Sequence, residues 1–143
     1  MFVGRLNHFT VRCRPQELDE LRDFYVGLLG LVDGARPKFS FPGHWLYSEG
    51  HPIVHLAGLL DTRPANETGP LDHIAFSGCR LNEVLQLLKD KKIPFDERPE
   101  PGSPLHQVFF SDPQGLKIES SRVLRRLQPL RRWSHEQVEQ VLT

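Results

Sequence analysis

Along LNHFTV, residues 6–11, Phe9 and Val11 fall on one side of an extended chain and Leu6, His8 and Thr10 on the other. That alternation predicts a strand over about residues 5–12. Leu18, Leu21, Tyr25 and Leu28 then recur at helical spacing and predict a helix over 16–29, with Pro15 in its first turn. Short strands follow near Val32 and over 44–48 and 52–57. The stretch GLLDTRPANETGP, residues 58–70, has no apolar period and many turn formers, which predicts a linker.

The order then repeats. LDHIAF predicts a strand over 71–76; Leu81, Val84, Leu85 and Leu88 predict a helix over 81–92; further strands are expected over 94–97, 105–111 and 116–121. The turn SDPQG, residues 111–115, joins the last two as a hairpin. Each half therefore reads βαβββ, and the chain is a tandem duplication within one α+β domain, with modules at about 5–57 and 71–121. Closing the two modules against each other predicts an open, curved mixed sheet.

The segment 122–143 matches neither half. It carries Arg122, Arg125, Arg126, Arg131 and Arg132, then Ser134 and Gln137 at capping-box spacing, and predicts a short helical tail that packs on the domain or on a second subunit.

The duplication changes the meaning of four polar residues. His73 follows His8 by 65 positions, and Glu119 follows His55 by 64. By strand alternation each points away from the helix-covered side: His55 opposes Val54 and Leu56, and Glu119 opposes Leu116 and Ile118. If the modules curve around a pseudo-twofold axis, three imidazoles and one carboxylate converge from four rigid strands. That donor set suits a first-row divalent metal, which would also neutralise a carboxylate set among apolar neighbours. Trp45 and Tyr47, in FPGHWLY, are expected to line a substrate cavity beside His55. His106 and Phe109, in HQVFF, are expected to do so in the second half.

Composition narrows the remaining choices. The chain has 143 residues, 38% hydrophobic and 25% charged, which is ordinary for a globular protein, and no apolar run is long enough to span a membrane. Its formal net charge of zero gives no general attraction to nucleic acid or to an anionic membrane surface. Two cysteines, Cys13 and Cys79, are too few for a disulfide scaffold and are expected to be reduced, structural thiols. The opening residues enter a strand pattern at once without a secretion-signal pattern, so the cytoplasm is expected.

The paired βαβββ order, RDFYVGLLGL in the first helix, SDPQGLKIE near the end and the four polar positions together resemble the vicinal oxygen chelate superfamily over about residues 5–121. That superfamily includes glyoxalase I, methylmalonyl-CoA epimerase, fosfomycin-resistance enzymes, bleomycin-resistance proteins and extradiol dioxygenases. The resemblance implies a divalent ion (Zn, Ni, Fe, Mn or Co) held by His8, His55, His73 and Glu119, a small-molecule substrate chelated through neighbouring oxygens, and a homodimer. Glyoxalase I has a glutamate where this chain has His55, so Glu119 is left as the single carboxylate and the expected catalytic base. Lyase, isomerase or epimerase chemistry is the leading expectation. Two alternatives stand beside it: Fe(II) ring cleavage using His8, His73 and Glu119, and a role that only binds or sequesters a small toxic molecule.

Overall fold

The computed structural model describes residues 6–63, 71–78, 80–99 and 105–123. Cys79 and the Arg-rich segment after Val123 lie outside the described residues, as does most of the expected linker.

The first module comprises β1 (Phe9–Cys13), a 3₁₀ turn (Pro15–Glu17), α1 (Leu18–Leu29), β2 (Val32–Gly34), β3 (Gly43–Ser48) and β4 (His51–Gly58). The second comprises β5 (Ile74–Ser77), α2 (Leu81–Asp90), β6 (Phe95–Pro99), β7 (Leu105–Ser111) and β8 (Lys117–Val123). The α+β class and the two βαβββ modules are as expected from the periodicities. The first strand of each module is shorter than its alternation suggests. Parallel pairing with β4 begins at Phe9, and pairing with β8 begins at Ile74, so His8 and His73 each stand one residue ahead of their strand.

Local chemistry sets the boundaries. The Glu17 carboxylate accepts the backbone N–H of Arg14 at 3.1 Å and its guanidinium at 2.7 Å, which secures the entry to α1. The helix stops at Gly30, whose φ of 69° is the left-handed conformation that glycine adopts without a Cβ penalty. In the hairpin before β8, Asp112 Oδ1 accepts the N–H groups of Gln114 and Leu116, and Gly115 turns the chain at φ 85°.

Each module forms a four-stranded mixed sheet, ordered β1-β4-β3-β2 and β5-β8-β7-β6. The register is duplicated along with the sequence. Phe9 pairs with Val54 and Thr10 with His55; in the second sheet Ile74 pairs with Ile118 and Ala75 with Glu119. The helices cover one face of these sheets. Val11, Leu21, Tyr25, Leu46, Val54 and Leu56 from the first module share one buried core with Leu81, Leu88, Val108, Phe110 and Ile118 from the second. Burial of each large apolar side chain there contributes about 1.5–3 kcal/mol. The modules also touch through Phe9 and Phe76, with ring centroids 5.9 Å apart, and through Phe24 and Phe110 at 6.1 Å. Cys13 is a free, fully buried thiol whose pKa burial raises to about 11, which makes it an inert packing group. Among the described residues no helix is long and apolar enough to cross a membrane.

Candidate functional site

The open face of the first sheet carries a stack of three flat rings. His55 lies between His8, at a centroid separation of 3.9 Å and 14° between planes, and Trp45, at 4.2 Å and 10°. Strand pairing produces this arrangement, because Trp45 is the antiparallel partner of His55 while Thr10, two residues after His8, is its parallel partner. His55 Nε2 lies 3.1 Å from the carbonyl oxygen of Pro52. A carbonyl only accepts, so Nε2 carries the proton and the Nδ1 lone pair is free. Burial, followed by the neighbouring His8, pulls the His55 pKa below the ordinary imidazole value.

The equivalent face of the second sheet holds an acid and a base in contact. His73 Nε2 lies 2.9 Å from Glu119 Oε2, and the carboxylate is buried at 6% exposure. Its other oxygen accepts a hydrogen bond from the Gln107 amide at 2.9 Å. Phe109 presents its ring to His73 at 5.5 Å and 89°. Phe109 is the antiparallel partner of Glu119 just as Trp45 is of His55, so an aromatic residue recurs beside each last-strand donor. Arg98 and Lys117 lie over the Phe109 ring at 4.7 and 5.2 Å. These three residues also line a cleft of about 410 Å³ with Asp96 and Ser111.

The structure thus gathers His8 with His55, and His73 with Glu119. Convergence of all four within one chain is not observed: no three His, Cys, Asp or Glu side chains among the described residues are grouped to hold an ion. Each pair is brought together by the first-to-last strand pairing of its own module.

The expected substrate-lining residues divide. Trp45 and Phe109 flank the two pairs. Tyr47 serves the scaffold, donating its hydroxyl to the Ala35 carbonyl at 2.6 Å, with its ring so close to Gly34 that an added Cβ there would sit 2.7 Å away. His106 is not brought to the Glu119 face. It lies three positions before Phe109, an odd offset that puts it on the opposite side of β7, where Nε2 meets Glu97 Oε1 at 2.8 Å. Gln107, two positions from Phe109, is the residue of that strand that reaches Glu119, and the same period-two count singles it out.

Sequence reasoning also passed over the loop before β3. There Phe39 and Phe41 stack at 5.3 Å, Arg36 lies over both rings, and Phe39 approaches Trp45 at 6.3 Å. The loop has no periodicity, and only the tertiary placement of Trp45 draws it to the site.

No protein-family model matches the chain. A curated protein does: it is 33% identical over 125 residues, spanning 83% of this chain and 71% of the relative, Glyoxylase I 4 of Arabidopsis thaliana. The chain belongs to the vicinal oxygen chelate superfamily. Among solved structures, a glyoxylase/bleomycin resistance protein/dioxygenase domain from Frankia sp. superposes on this vicinal oxygen chelate protein with a TM-score of 0.69 at 17% identity, covering 88% of this chain and 96% of the other. A variant of the fosfomycin resistance protein FosX of Listeria monocytogenes, solved with Mn(II) and a dihydroxypropylphosphonic acid, gives 0.68 at 16% identity, covering 92% and 100%. The antibiotic-binding protein TnmS3 of a Streptomyces species gives 0.60 at 21%, covering 86% and 98%. At these identities the solved structures speak for the fold alone. The protein shares an architecture that other chains use with different ligands, and its own donors decide its chemistry.

Proposed function

We propose that this protein is a cytoplasmic, metal-dependent, glyoxalase-like enzyme that binds a small substrate through two neighbouring oxygens and moves a proton between carbon atoms or onto them. His8, His55, His73 and Glu119 would hold the ion. The observation that carries this reading is the duplicated register, which sets His55 beside His8 and Glu119 beside His73 at equivalent places in the two sheets.

The donors fit a divalent ion as two halves. His73 Nε2 and Glu119 Oε2 face each other across 2.9 Å, a contact that needs a proton or a cation between them. His55 keeps a free Nδ1 lone pair beside His8. The separation into halves supports a homodimer in which the first-module pair of one chain meets the second-module pair of its partner. The Mn(II) in the FosX structure supports a divalent ion in this fold.

A divalent ion held by these residues would supply Lewis acidity to the substrate oxygens and so make the adjoining C–H more acidic. The chain's own residues then do the rest. Glu119 would take the proton from the substrate carbon and return it, while the Gln107 amide holds Oε1 and fixes the plane of the carboxylate. Trp45 and Phe109 flank the substrate and keep water from the carboxylate.

The test is metal analysis of protein purified without chelator. One divalent ion per chain is expected in the wild type, lost in His73→Ala and in Glu119→Ala. Stoichiometric metal retained in both variants overturns the ligand set. Oxygen consumption on adding a catechol to the Fe(II) form would replace proton transfer with ring cleavage. A second reading, sequestration of a planar organic molecule, is favoured by the aromatic wall of Phe39, Phe41 and Trp45 and by the likeness to TnmS3. Tight binding of such a molecule by metal-free protein, with no turnover, would establish it.

A further inference from the structure

The residue before each first-strand histidine bonds to that histidine. His8 Nδ1 lies 2.7 Å from Asn7 Oδ1, and His73 Nδ1 lies 2.7 Å from Asp72 Oδ2. Asn7 and Asp72 are themselves 65 positions apart, so the contact is duplicated with its histidine. An amide oxygen and a carboxylate oxygen can only accept, which requires that Nδ1 carry the proton in both rings. In neutral His8 this fixes the tautomer, with the lone pair on Nε2. In His73 the other nitrogen faces Glu119 Oε2 at 2.9 Å, so without metal a proton lies between those two atoms, and Nε2 becomes the donor when an ion replaces that proton. Asp72 is held in turn, since the same Oδ2 accepts a hydrogen bond from Lys117 Nζ at 3.1 Å.

His55 supplies an internal contrast. Its preceding residue, Val54, is fully buried in the core and offers no acceptor, and the ring turns Nε2 to the Pro52 carbonyl instead.

We propose that Asn7 and Asp72 are paired positioning residues, which lock the Nδ1–H tautomers of His8 and His73 and so present Nε2 of both rings as metal donors. This rests on the ligand set proposed above. Neither residue touches the ion. A partner on the remote ring nitrogen orients an imidazole and raises its donor strength, and losing it commonly costs 10- to 100-fold in metal affinity. The two partners also make the two donors unequal, because a carboxylate behind His73 strengthens Nε2 more than the neutral amide behind His8 does. Both residues are exposed, so their replacement leaves the core intact.

The experiment has two independent readouts on the full chain: long-range nitrogen–proton NMR correlation of the imidazoles without metal, and Co(II) affinity by chelator competition. In the wild type, Nδ1 of His8 and of His73 is protonated. In Asp72→Ala, Glu119 is the remaining acceptor in contact with His73, so the Nδ1 proton is lost and the one on Nε2 is kept, while His8 is unchanged. Co(II) affinity then falls about tenfold with stoichiometry retained. Asp72→Asn, which copies the Asn7 arrangement, keeps the Nδ1 proton and recovers most of that loss. Asn7→Ala shifts His8 alone, with a smaller loss. Unchanged tautomers in both alanine variants, or equal losses in Asp72→Asn and Asp72→Ala, overturn the positioning role. A wild-type chain that takes up no Co(II) overturns the ligand set and with it the purpose of the device, a failure the metal-free tautomer comparison distinguishes from the first.

Discussion

Tyr25 in α1 donates its hydroxyl to Asp112 Oδ2 at 2.9 Å, in a buried bond that joins the helix of the first module to the last hairpin of the second. Burial raises the Asp112 pKa, and hydrogen bonds from the Leu116 N–H and the Tyr25 hydroxyl pull it part of the way back. The Tyr25→Phe protein keeps the ring packing and strips the carboxylate of a donor. It should lose about 1–3 kcal/mol of stability. The sign with pH follows from the ionised form being the one that loses its partner: the deficit should be larger at neutral pH than near pH 4, where the raised pKa lets Asp112 take up a proton in the folded protein. Paired urea denaturation curves at the two pH values check this, and an equal deficit at both would refute it.

At Glu17 the opposite shift occurs. The Arg14 guanidinium, assisted by the Arg14 backbone N–H, holds this carboxyl at about 2 against the desolvation that opposes it. A folded pKa below the unfolded one stabilises the protein above about pH 4, and that contribution disappears as pH falls from about 4 towards 2. Glu17→Gln should therefore be less stable than wild type at neutral pH and should show a flatter acid limb, with the two curves converging near pH 2. Acid titration followed by circular dichroism reads the difference.

Gln107 makes a prediction that separates charge from shape. Gln107→Ala leaves the buried Glu119 Oε1 without its donor and should cost about 1–3 kcal/mol. Gln107→Glu preserves the shape but places a second carboxylate at 2.9 Å, so it should destabilise more than alanine at neutral pH and recover on acidification. Added divalent ion should rescue the glutamate variant more than the alanine one in thermal melts.

The division of donors into two pairs predicts complementation between chains. A His8→Ala/His55→Ala chain and a His73→Ala/Glu119→Ala chain should each bind no metal alone. Mixed by co-expression, they should form a heterodimer with one intact site, because the surviving halves come from different copies. If each site were built within one chain, the mixture would bind nothing. Metal content of the isolated heterodimer decides between the two.

Much of this was written in the chain order itself. Periods of 3.6 and 2 specify both βαβββ modules because an element's buried face is a local property of spacing. Repetition at 65 and 64 positions singles out His8, His55, His73 and Glu119, since a duplicated register needs no knowledge of the fold to be seen. The contacts of Asn7 and Asp72 are also local, each with the next residue along the chain. Tertiary structure alone decided the rest. Whether four donors meet as one cluster or as two pairs depends on how the modules pack against each other, and no spacing within a strand encodes that. The Phe39 and Phe41 wall, the use of the Tyr47 hydroxyl on Ala35 and the Tyr25 to Asp112 bond all join residues that become neighbours only when separate elements pack together. A sequence carries the faces of its elements; which face meets which is settled by the shared core, where Leu21, Val54, Leu88 and Ile118 exclude water together.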